Sequence, residues 1–260
     1  REAMRLKNGR WIVAAGFAAS ALLGTANGFA SEQEAAARVS SLSGAYLAAR
    51  VADSDNDLSS AISYYRRALS FDPTNQQVQQ SLLLGLISQG KFDEALGHAR
   101  ALKDTPEVER FSRLALGVDA IRQGKFAEAE QWLKLTLESD LDRLIMGLMT
   151  AWAKLGGGDG AGALAHIANM SGPEWYNLFV GYHRALIAEQ SGDIETARSA
   201  FEAVSTNVSA GAAAPDTFLR AMEAQAGFLM RQGDKQGALA VLDRADEFAS
   251  GRLTIDVLRA

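Results

Sequence analysis

The phrase SQGKFDEAL, Ser88 to Leu96, returns 34 residues later as RQGKFAEAE, Arg122 to Glu130. Self-similarity at a fixed period constrains a chain more than local propensity does. Every copy must be the same small unit, and neighbours must bury one another's apolar faces. Extended both ways, the phrase resolves into columns. Asn56, Gly90, Gly124, Gly158 and Gly192 are each 34 residues apart, and Gly233 follows after 41. Five places beyond each stands alanine: Ala61, Ala95, Ala129, Ala163, Ala197 and Ala238. Four further on come Tyr65, Ala99, Leu133, Ile167, Phe201 and Leu242, mostly bulky and apolar. Three more reach Ala68, Leu102, Thr136, Met170, Val204 and Ala245.

Intervals of three, four and seven keep residues on one helix face. The alanine column marks where a second helix approaches closely, since a larger side chain would push the backbones apart. The glycine column lies between two apolar-periodic segments, where a left-handed residue ends a helix at little steric cost. Each unit therefore reads as helix, tight turn, helix. YYRRALSFDPTN, Tyr64 to Asn75, adds the fullest ending, with Asp72 and Pro73 stopping one helix and setting up the next.

On these motifs the chain resembles the tetratricopeptide repeat family, which has a 34-residue period, a Gly-Asp or similar turn, alanine in the second helix and a late proline. The likeness runs over residues 42–250, with units of about 42–75, 76–109, 110–143, 144–177, 178–218 and 219–252. Departures exist: Pro73 alone holds the late proline place, and Gly160 and Lys235 stand where a large apolar residue is usual. The resemblance implies an all-α, right-handed α-solenoid (superhelix) of about six helix-turn-helix units, its inner face lined by first helices. The seven-residue insertion falls in STNVSAGAAAPDT, Ser205 to Thr217, and its small residues and proline predict an extended loop. Residues 31–41 read as a linker or frayed helix. Residues 253–260 match the start of a further unit, so the chain is expected to be a piece of a longer protein.

The N-terminus differs from the repeats. Met4 is followed by Arg5, Lys7 and Arg10, then by the uncharged stretch Trp11 to Gly24 and the small-residue exit TANGFA ending at Ala30. A basic start, an apolar stretch shorter than the roughly 20 residues of a membrane span, and a small-residue exit predict a signal peptide over residues 1–30, cleaved after Ala30, with Ala26 and Gly28 as alternative cleavage points and an uncleaved membrane anchor as the other reading. Membrane contact is expected only through that segment before cleavage. The chain has no cysteine, which excludes disulfides, thiolate metal sites and a lipid anchor on cysteine. A net charge of -5 argues against a nucleic-acid partner.

No catalytic, cofactor or metal constellation emerges. His98, His166 and His183 are dispersed, and His98 and His166 take equivalent places in second helices, as packing residues would. GGGDGAG, Gly156 to Gly162, lacks the Lys-Ser/Thr of a phosphate loop and coincides with a repeat turn. The resemblance places Phe111, Leu114, Val118, Ile145, Leu148, Trp152, Phe179 and Tyr182 on the groove-facing side of first helices, flanked by Tyr46, Arg50 and Asp53 in unit one and Arg220, Glu223 and Arg231 in unit six. Two uses of that apolar stripe stay open: a groove for a protein or peptide partner, or packing within the stack. Of the places where some relatives hold a cationic clamp for a carboxylate, only Arg50 is suitable, so a clamp is not expected. The overall expectation is a non-enzymatic periplasmic scaffold or adaptor. It is similar to the soluble periplasmic tetratricopeptide proteins of alphaproteobacteria, a likeness that implies a role in envelope integrity or assembly. The alternatives are the N-terminal helical module of a larger envelope enzyme, with its active site beyond residue 260, and a self-assembling array.

Overall fold

The computed structural model describes residues 32–106, 108–134 and 139–249, and no strand occurs among them. The apolar N-terminal segment with its expected cleavage site and residues 253–260 lie outside the described residues. The chain divides into two compact units, one ending at Ser112 and the other beginning at Arg113. After a helical stretch over 32–37, the first unit holds α1 (Leu42–Ser54), α2 (Leu58–Phe71), α3 (Gln76–Ser88) and α4 (Phe92–Leu102). The division falls inside α5 (Glu109–Arg122). The second unit continues with α6 (Phe126–Leu133), α7 (Asp140–Gly156), α8 (Gly160–Ala168), α9 (Tyr176–Gln190), α10 (Ile194–Ser205), α11 (Val208–Ala213), α12 (Pro215–Arg231) and α13 (Lys235–Phe248).

In the first unit each helix packs on the next, α1 on α2, α2 on α3 and α3 on α4. The core is small and aliphatic, built from residues such as Ala45, Ile62, Leu83, Leu86 and Ala99, with the ring of Tyr65 fully buried among them. In the second unit consecutive helices pair as α7 with α8, α9 with α10 and α12 with α13. The first helices of successive pairs also touch, α7 against α9 and α9 against α12. Phe201 and Phe228 meet at a tilt, with ring centroids 5.4 Å apart, inside that core, each burial stabilising the fold by about 2–3 kcal/mol.

The turn column behaves alike in every repeat. Asn56 has φ 60°, and Gly90, Gly124, Gly158, Gly192 and Gly233 have φ between 71° and 87°. Each left-handed residue lets the next backbone N–H reach back five residues to a helix carbonyl, from Asp57 to Ala52, Lys91 to Leu86, Lys125 to Ala120, Asp159 to Lys154, Asp193 to Ala188 and Asp234 to Leu229. These bonds are 2.8–2.9 Å long and satisfy carbonyls that a helix end otherwise leaves bare. The residue that makes this bond also starts the next helix. Asp57, Asp159, Asp193 and Asp234 cap it by accepting an N–H three residues on, whereas Lys91 and Lys125 offer no side-chain cap.

The alanine column is sealed: Ala61, Ala95, Ala129, Ala163, Ala197 and Ala238 are all 2% exposed or less. Close approach is enforced on the facing first helices too. A Cβ at Gly147 would meet the Met170 methyl at 2.6 Å, and one at Gly181 would meet Val204 at 2.6 Å. Both glycines, and both partners, are one period apart.

The insertion is not an extended loop. Asn207 caps a short helix, α11, by accepting from the Ala210 N–H at 3.1 Å, and Pro215 opens α12 at its first position. Proline is tolerated there because that N–H has no helical partner to lose. Gly211 sits where a Cβ would press on the Phe218 ring at 2.6 Å, so α11 lies flat on α12.

Candidate functional site

The apolar stripe of the first helices is not uniform. Phe111, Leu114 and Val118 share α5, with Phe111 before the division at Ser112 and the other two after it. Val118 is 36% exposed and, on α7, Ile145 is 38% exposed. Leu148 lies beneath that face, buried in a core with Leu144, Ala151, Ile167 and Ile187. Trp152 and Phe179 pack on the same core but stay half-buried. Tyr182 is half-buried against the next cluster, formed around α10, α12 and α13.

His183, absent from the stripe as read from sequence, ties these side chains together. The Trp152 indole N–H donates to His183 Nδ1 at 2.9 Å, across from α7 to α9. The two rings meet edge to face at 6.1 Å, and Tyr182 lies 5.6 Å from His183 on the other side. Trp175, 41% exposed, meets Phe179 edge on at 6.0 Å and extends the aromatic surface toward the start of α9. Burial pushes the His183 pKa down, with no neighbouring charge opposing it. Burial also pushes the Tyr182 phenol up, Arg220 opposes that and Glu223 reinforces it. Those two charged residues of α12 therefore flank the ring, in keeping with their places at the end of the stripe. Arg231 instead pairs with Glu189 at 2.7 Å.

A signal for His183 exists in the sequence. Residue 186 is one period beyond Trp152, and 183 is one helical turn before 186. A separation of 31 thus sets two side chains diagonally across neighbouring first helices. The other two histidines serve packing: His166 bonds the Gly147 carbonyl at 3.1 Å, and burial, followed by Arg66, lowers the pKa of His98. The glycine-rich stretch is a repeat turn, with left-handed Gly158 followed by Asp159 accepting from the Gly162 N–H at 2.8 Å. In the first unit Arg50 pairs with Asp53 at 3.6 Å.

On the other side of α7 a cavity of about 400 Å³ opens between α6, α7 and α8. The Lys154–Glu130 ion pair, 2.8 Å, crosses it. Most of its neutral polar groups are committed to backbone carbonyls: Thr150 to Met146, Asn169 to Ala165 and Tyr176 to Asp140. Among the described residues no group of three or more His, Cys, Asp and Glu is arranged to hold a metal ion. No described helix is long and apolar enough to cross a membrane.

Family models described as tetratricopeptide repeat match residues 43–75, 111–134 and 182–252. Together with the left-handed turns and the sealed alanine column, they decide the family. The chain belongs to the tetratricopeptide-repeat family. Its backbone is similar to that of a tetratricopeptide repeat protein from Parabacteroides merdae, at 14% identity and a TM-score of 0.62 over 84% of each chain. It is also similar to the C-terminal part of a TPR repeat-containing protein from Cytophaga hutchinsonii, at 15% identity and a TM-score of 0.58, covering 94% of this chain and 99% of that one. Pseudomonas aeruginosa PilF gives 14% identity and a TM-score of 0.50, covering 89% and 98%. At such identities the likeness speaks to the fold alone. No curated protein matches the sequence. The tetratricopeptide fold is that of a protein–protein interaction scaffold.

Proposed function

We propose that the chain is an exported adaptor that works in the periplasm, where its first-helix face holds another protein during cell-envelope assembly or upkeep, with no reaction of its own. One observation carries the docking part. The Trp152–His183 hydrogen bond joins neighbouring first helices and holds Trp152 in place, and with Tyr182 beside His183 and Phe179 on the same core it gives an aromatic surface that is neither fully buried nor fully exposed. Rigid rings that are half open to solvent are efficient contact residues, because little side-chain entropy remains to be lost on binding. The export part rests on the basic, apolar and small-residue order of residues 4–30.

The docking part is tested by affinity capture from an envelope fraction with wild type, Trp152→Glu and Ile145→Glu. Both variants are expected to lose the captured partner while keeping the helical circular dichroism of wild type. Ile145→Glu is the stringent case, because its side chain is exposed and its charge costs the fold little; undiminished capture by that variant would sink the reading. Export is tested by fractionating cells that make the full chain and measuring the mass of the product. A periplasmic product beginning at Ser31 is expected, and an unprocessed cytosolic one would refute export.

A further inference from the structure

We propose that the face formed by α7, α9 and α12 receives an uncharged, apolar stretch of a partner polypeptide, one backbone carbonyl of which accepts the His183 Nε2–H. This rests on the reading of that face as a docking surface and adds the chemistry of what docks.

An indole nitrogen can only donate. The 2.9 Å contact therefore makes His183 Nδ1 the acceptor, and the neutral ring carries its proton on Nε2. Trp152 thus selects the tautomer. Neither the His183 Nε2–H nor the Tyr182 hydroxyl has a hydrogen-bond partner among the described residues. Burial lowers the histidine pKa and raises the phenol's, so both groups are neutral at neutral pH. Two adjacent neutral donors therefore stand on α9, with the Trp152 ring against His183 and Phe179 packed on the same core as Trp152. The charged groups beside Tyr182 are Arg220 and Glu223, one of each sign on α12, and Arg231 is paired with Glu189, so these groups leave no surplus charge toward an occupant. On α7 the cation Lys154 lies on the opposite side, paired with Glu130 in the cavity there.

Desolvation discriminates among occupants. A carboxylate can accept the His183 Nε2–H and leave the Trp152 bond intact, but it would be stripped of water against apolar rings with no unbalanced cation at the face to offset that cost. An ammonium group would be desolvated against rings and donors, at a cost a lone Glu223 does not offset. A peptide carbonyl carries neither cost. It accepts from Nε2, while apolar side chains on either side of it cover Trp152 and Phe179. Acid breaks the Trp152–His183 bond itself, because the imidazolium turns an N–H toward the indole N–H and two donors cannot share that contact. The folded-state pKa of His183 is below the ordinary value of about 6.5, so the neutral, Trp-bonded form is complete above that value. It is lost as pH falls through the lowered folded pKa, and binding is lost with it.

The test uses the ¹⁵N-labelled chain and three capped peptides, Ac-Leu-Phe-Gln-Leu-Phe-NH₂ and its Glu and Lys counterparts at the central place. Binding is read from the Trp152 indole resonance, assigned by its loss in Trp152→Phe, and from the His183 ring nitrogens. The Gln peptide is expected to bind about tenfold more tightly than either charged peptide, the scale of one buried polar mismatch. Its affinity should fall as His183 itself titrates. In Trp152→Phe the indole donor no longer favours the neutral ring, so the acid loss, followed on His183, should begin at a higher pH. A merely structural role for Trp152 would not move that midpoint. Equal or tighter binding of the Glu or Lys peptide, or a midpoint unmoved in Trp152→Phe, overturns the proposal while leaving the docking face standing. If none of the three peptides shifts the Trp152 indole, both the proposal and the docking reading fall.

Discussion

In the second helices, the residue five places after each turn is alanine in all six repeats and at most 2% exposed. On the first helices the outward stripe carries Val118, Ile145, Trp152, Phe179 and Tyr182, all partly open and, but for the two rings on α9, each on its own part of the face. One column is fixed by what it touches. A neighbouring backbone leaves room for a single methyl group, and no other side chain meets that demand at every repeat. The stripe faces no such repeated surface, so its residues are free to differ, and among the described residues the arrangement of rings around His183 occurs in one place. Sameness across repeats in this chain accompanies folding, and difference accompanies whatever the chain recognises.

That contrast can be broken by substitution. The largest effect is expected at the seam: Ala197→Leu should cost about 2–3 kcal/mol through overpacking, read as a lower midpoint in urea with an unchanged slope. Next comes the turn, where Gly192 has φ 79° and a Cβ added there would meet nothing within 4 Å. Space is therefore not the obstacle to Gly192→Ala; the left-handed backbone is, and the loss should be about 1–2 kcal/mol. The smallest effect is expected on the stripe, where Ile145→Ser should change stability by under about 0.5 kcal/mol. A cost at Ile145 equal to that at Ala197 would erase the distinction between seam and stripe and make the first-helix face part of the core.

The columns are readable in sequence because each is a local rule applied six times. Asn56 and five glycines announce their turns, and a register of five, four and three residues announces the buried side of the helix that follows. Two features escape such a reading for different physical reasons. VSAGAA lacks an amphipathic pattern, so its small residues read as loop; its helix depends on the Asn207 cap, on Pro215 being a helix opener, and on Gly211 lying against Phe218. His183 escapes because its partner lies on another helix, and its role is a property of the pair rather than of either residue. Leu148 shows the opposite limit. Its register assigns it to the outward stripe, and only packing shows that it sits beneath Trp152 in the core.

Every turn between paired helices satisfies its own backbone through one left-handed residue and one five-residue reach-back, without help from any other part of the chain. A repeat is consequently bounded by two self-sufficient joints. Such a chain can lengthen or shorten by whole cassettes during evolution, because a duplicated segment brings its joint with it and meets its neighbour across the same methyl-lined seam. What a new cassette does not bring is a matched tryptophan and histidine, so growth of the array and acquisition of a binding preference are separate inventions.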